Sequence, residues 1–112
     1  MKLASYIADG KPAFGVVKDD GVVTYKGQYA TLKDAIAAGA YDEVKRATGG
    51  AKPDLALKGL KFLPTIPNPG KILCVGINYR SHAAEHGHAV AEKPNIFTKF
   101  TDCLSAHEGE MW

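Results

Sequence analysis

At 112 residues the chain holds one domain, or one small domain and a piece of another. Hydrophobic residues at 46% and charged residues at 23% exclude a disordered chain and leave material for a modest core. Fourteen basic against twelve acidic residues give a net charge of +2 without a Lys/Arg cluster, which argues against a nucleic-acid partner.

The start, MKLASYIADGKPAF, reaches Asp9 and Lys11 before a signal-type apolar stretch can form, and no later run has membrane-spanning length. A cytoplasmic protein with no membrane partner is therefore expected. Lys2 to Ala8 is apolar and β-compatible, and DGK at 9 to 11 turns it back into Ala13 to Lys18. KDDG at 18 to 21 turns again, into Val22 to Tyr25, so three strands should form an antiparallel meander. One face of that sheet needs a cover. TLKDAIAAG supplies it: Thr31 caps a helix, Asp34 suits its first turn, Leu32, Ala35 and Ile36 share a side, and Gly39 ends it. A second short helix is expected over Asp42 to Ala47, closed by Gly49 and Gly50.

These elements make residues 1–50 a small amino-terminal α+β domain. Residues 51–70 carry four of the six prolines and read as a linker with one short strand near Leu57 to Leu63. Lys71 to Val75 is a continuous apolar run, the pattern of a strand buried on both faces. Gly76 and Asn78 then make a turn, a helix is expected from Tyr79 to Gly87, and Asn95 to Phe100 reads as one further strand. A strand buried on both faces needs neighbouring layers that residues 71–112 do not contain, so a partner chain or further sequence is expected to supply them. Cys74 and Cys103 form no C-x-x-C pair and read as buried, reduced thiols.

Chemistry concentrates in GINYRSHAAEHG at 76 to 87. On a helix His82, Glu85 and His86 share a face, and three readings of them stay open. They are helix-surface residues; or H-x-x-E-H is a zinc site in which Glu85 activates water; or His82 and Glu85 form a dyad whose carboxylate orients the imidazole as general base.

The wider stretch IPNPGKILCVGINYRSHAAEHG resembles the signature of the fumarylacetoacetate hydrolase family, and KPNIFTKF resembles its P-x-x-F-x-K strand at Pro94, Phe97 and Lys99. MKLASYIADGKPAFGVVKDDGVVTY resembles the small amino-terminal domain of many bacterial members. The resemblance implies that residues 71–112 begin a mixed β-sandwich roll and that the chain is the front of a longer, homodimeric enzyme. It implies hydrolysis or lysis of carbon-carbon bonds in 2-oxo or 1,3-dioxo acids, with His82 activating water and Glu85 orienting it. Tyr79 and Lys99 become substrate-pocket residues, and His86 falls outside the pattern. A Mg²⁺ or Mn²⁺ ion is implied too, yet the family's E-x-E strand and downstream Asp have no counterpart here. Glu108-Gly109-Glu110 spells E-x-E but reads as a solvated loop, so the chain by itself is expected to be inactive. A non-catalytic binding or dimerisation module, pairing through its unfinished sheet, is the alternative.

Overall fold

A computed structural model of the chain describes residues 1–79, 85, 87 and 93–109. Contacts divide it into two units, Met1–Asn68 with the segment from Leu104 onward, and Pro69–Cys103.

In the first unit β1 (Lys2–Ala8), β2 (Lys11–Lys18) and β3 (Gly21–Thr24) form the expected meander, and β4 (Leu55–Ala56) adds to β3, giving the antiparallel order β1-β2-β3-β4. Asp9 and Gly10 both take positive φ, 48° and 74°, between the paired Ala8 and Lys11. That geometry matches the twist of the flanking strands and is what an Asp-Gly pair favours. The helices follow their caps. In α1 (Leu32–Ala37) the Thr31 hydroxyl accepts from Asp34 N at 3.2 Å and donates to the Asp34 carboxylate at 2.7 Å. Gly39, at φ 62°, stops the helix: Gly39 N donates to Ile36 O and Ala40 N to Ala35 O, the paired bonds of a Schellman motif. In α2 (Tyr41–Gly49) the Lys18 ammonium reaches back to Gly49 O at 3.3 Å and Ala51 O at 3.0 Å, satisfying carbonyls at the helix end.

Phe14, Tyr25, Leu32, Ala35, Ala40 and Val44 form the core between one sheet face and the two helices. Each fully buried aliphatic side chain there contributes about 2 kcal/mol. Ile36, expected on the same side, is 41% exposed. With only six residues, α1 turns too narrow a stripe inward to bury it.

On the opposite sheet face one side chain spans three strands. Tyr6 is fully buried, and its hydroxyl donates across the sheet to Thr24 Oγ1 at 3.1 Å. Between them lies Gly15, paired with Thr24, where an added Cβ would overlap both the Tyr6 hydroxyl and the Val23 carbonyl. Glycine is required there for space rather than for backbone freedom.

The stretch expected as a linker belongs to this sheet. β4 pairs with β3, Phe62 bridges Tyr6, Ile7 N donates to Lys61 O and Leu63 N to Ser5 O, both at 2.9 Å. The Ser5 hydroxyl adds a bond to Thr65 O at 2.7 Å. Pro53, Pro64 and Pro67 lack an amide hydrogen, and the outer edge of a sheet tolerates that loss. Proline content reports this edge position as readily as it reports a linker.

In the second unit β5 (Ile72–Gly76) and β6 (Asn95–Lys99) pair antiparallel, with Cys74 opposite Phe97. The run at 71 to 75 is not buried on both faces: residues alternate between half-buried and exposed, with Leu73 64% and Val75 46% accessible. Two strands alone offer a side chain no second layer to enter. Cys74 is half-buried and Cys103, in a single 3-10 turn at Thr101–Cys103, is exposed, so burial does not account for that thiol. Antiparallel sheets and two helices make the described fold α+β.

Gly15→Ala is expected to lower stability by about 2 kcal/mol or more, because the methyl group meets backbone that cannot move aside without breaking the sheet. Gly49→Ala, in open space at a helix end, should be neutral or stabilising. Urea unfolding compares the two; equal midpoints would contradict the placement of Tyr6 over Gly15.

Candidate functional site

The GINYRSHAAEHG stretch begins where β5 ends. Ile77 follows Gly76 with φ 51°, a left-handed conformation that a β-branched side chain resists. Tyr79, two residues on, is 71% exposed. Glu85 is helical and exposed, while His82 and His86 lie outside the described residues. Lys99 pairs with Ile72 at the far end of the hairpin from Gly76, about 13 Å along the strand at ~3.3 Å per residue. Tyr79 and Lys99 therefore leave the hairpin from opposite ends, and the two strands do not by themselves bring these residues into one pocket.

Glu108 lies in an exposed turn at φ 58°, its carboxylate 3.9 Å from His107 Nε2; Glu110 lies outside the described residues. His107 also meets the Phe62 ring edge-on at 5.6 Å. Among the described residues no three His, Cys, Asp or Glu side chains come together. The described carboxylates thus do not fit the octahedral oxygen site that Mg²⁺ demands.

Two polar networks in the first unit escaped sequence reasoning. In one, Thr24 donates to Asp54 Oδ1 through both its amide, at 2.9 Å, and its hydroxyl, at 3.1 Å. Tyr6 stands behind Thr24, and Lys26 approaches Asp54 Oδ2 at 4.0 Å. Burial opposes ionisation of Asp54, but the two Thr24 bonds, its own backbone amide and the Lys26 charge together hold the carboxyl below its ordinary range. Burial also raises the Tyr6 phenol. In the other network the Tyr25 hydroxyl donates to Glu43 Oε1 at 2.5 Å and Gln28 Nε2 to Glu43 Oε2 at 3.0 Å. The Tyr25 bond, then that of Gln28, lowers the Glu43 carboxyl, while the phenol is raised in turn. Nothing in the spacing of residues 6, 24 and 54, or of 25, 28 and 43, announces these contacts. Both networks pin structure: one holds β4 on β3, the other ties α2 to the loop after β3.

No protein-family model matches the chain. Curated relatives do. The mitochondrial oxaloacetate tautomerase FAHD2A of Bos taurus is 36% identical over 61 residues, which is 54% of this chain and 19% of that protein. Its counterpart in Homo sapiens is 35% identical over 60 residues, with the same coverage. The fumarylacetoacetate hydrolase domain-containing protein 2 homolog of Dictyostelium discoideum is 44% identical over 36 residues, 32% of this chain and 12% of that protein. Over about half its length the chain is similar to proteins of the fumarylacetoacetate hydrolase type.

The matched part spans about a fifth of the length of the bovine and human family members. The bovine and human relatives bear the names of enzymes, and the motifs in the sequence resemble the same family. The expected cytoplasmic location does not stand: the bovine and human relatives are mitochondrial proteins. Composition failed there because balanced charge and unpaired cysteines suit any aqueous, thiol-reducing compartment equally.

Asp54 and Glu43 both have depressed folded-state values, so the stability they add is present above the ordinary carboxylate range, near pH 4, and is lost as pH falls through the folded values. Thermal melts should be flat from about pH 5 to 7 and decline below about pH 4. Asp54→Asn and Glu43→Gln should each make that acid decline shallower; melts whose acid limb is unchanged in both variants would remove these networks as its cause.

Proposed function

We propose that this chain contributes the proton-handling segment of an enzyme acting on 2-oxo or 1,3-dioxo acids, with His82 as the base and Glu85 as its orienting partner. The observation that carries the proposal is the likeness to two mitochondrial oxaloacetate tautomerases of the same family. The ordered G-x-N-Y turn and H-x-x-E pair of the sequence support it. Tautomerisation of oxaloacetate moves a proton between the enol oxygen and C3, and one positioned imidazole can both take and return it. Carbon-carbon hydrolysis of an acylpyruvate uses the same base on water instead of on carbon. The two reactions therefore ask the same of His82 and differ in what lies beside it.

The proposal extends to Mg²⁺ or Mn²⁺ held outside the described residues, to Tyr79 and Lys99 as pocket residues and to a homodimer. A second reading, a dimerisation module without catalysis of its own, is favoured by the apolar side chains that Leu73, Val75 and Ile96 expose on the second unit.

Kinetics on a family protein of full length carrying this segment test the assignment. His82→Ala should lower kcat by roughly 10²-fold, Glu85→Gln by less, and His86→Ala hardly at all. If His86→Ala proves as damaging as His82→Ala, two histidines act together and the zinc reading gains. Deuterium entering C3 of oxaloacetate without release of pyruvate or oxalate identifies tautomerisation; product release identifies cleavage.

A further inference from the structure

The stretch from Asp54 to Leu63 holds both outer edges of the first sheet. On β3, Asp54 N donates to Val22 O and Leu57 N to Asp20 O, each at 2.9 Å. On β1, Lys61 O accepts from Ile7 N and Leu63 N donates to Ser5 O, again at 2.9 Å. The connection between the two ends is short and turns at Gly59, whose φ is 78°. No residue from 51 to 68 is buried, so the stretch adds little to the core and is held mainly by backbone bonds. Asp54 supplies the exception, because its carboxylate takes the Thr24 amide where a strand carbonyl would otherwise continue the β3–β4 ladder.

We infer that Asp54–Leu63 is a strap that opens as one piece while the meander and helices stay folded, with Asp54 as its latch. Segments with few buried apolar contacts and exposed backbone bonds open at lower free energy than the core they lie on. Release at β3 removes the anchor from a ten-residue connection whose other end is held to β1 by two backbone bonds, so the ends let go together. Opening bares the unpaired amides and carbonyls of β1 and β3, the kind of edge that accepts an extended strand from another chain.

Hydrogen exchange on the full 112-residue chain tests the coupling. In the unaltered protein the Ile7, Leu57 and Leu63 amides should share one protection level, below that of Val44, whose amide is bonded to Ala40 O inside the first unit. Asp54→Ala should speed exchange of Ile7 and Leu63 roughly tenfold, the equivalent of one lost hydrogen bond, although both lie at the far edge from Asp54. Val44 should not change. Asp54→Asn, whose amide oxygen still accepts from Thr24, should restore most of the protection. Unchanged Ile7 and Leu63 in Asp54→Ala would overturn the strap, and so would a Val44 that accelerates as much as they do, since the loss would then be global.

Discussion

The first unit depends on one side chain lying across a sheet. Tyr6 reaches from β1 over Gly15 of β2 to Thr24 of β3, and so joins three strands on the face away from the helices. Thr24 passes the link to Asp54, which brings β4 into the sheet. A tyrosine suits the position because its ring fills the space a larger residue at Gly15 would need, while its hydroxyl finds a partner instead of being buried unsatisfied. The helices then serve the other face, where Phe14 stacks on Tyr25 at 5.0 Å and Val44 closes the core.

The proposed chemistry and the well-packed core lie in different units. The first has a satisfied interior: no buried side-chain nitrogen or oxygen among the described residues lacks a hydrogen-bond partner. It offers pinned carboxylates rather than groups held ready for catalysis. The second carries the family's H-x-x-E stretch beside a strained turn at Ile77 and a hairpin with exposed apolar side chains. An acid/base pair gains its working pKa from burial and from neighbouring charges.

The front strands, both helices and the residues flanking their turns were readable in the sequence, because each signal is local. Asp-Gly at 9 and 10 makes a hairpin turn with only its own backbone; Thr31, Asp34 and Gly39 begin and end α1 with bonds spanning a few residues. The family motif was readable for the same reason, since G-x-N-Y and H-x-x-E are short and occur in a set order. An apolar run, by contrast, states what a strand prefers and not whether another layer is present, and Leu73 and Val75 stand exposed.

By itself the sequence determined the three front strands, the two helices between them and β4, the β5 and β6 strands, where the front strands turn, and a short motif that resembles a known family. Tertiary structure alone decided that the proline-rich stretch closes both edges of the front sheet, that Gly15 lies under Tyr6, and that Asp54 and Glu43 are held as anions by hydroxyl and amide donors. The division has a physical cause. Turns and caps are closed by bonds between residues a few positions apart, whereas Tyr6, Thr24 and Asp54 meet only after the chain has crossed the sheet, and no local pattern encodes contacts between residues 18 and 30 positions apart.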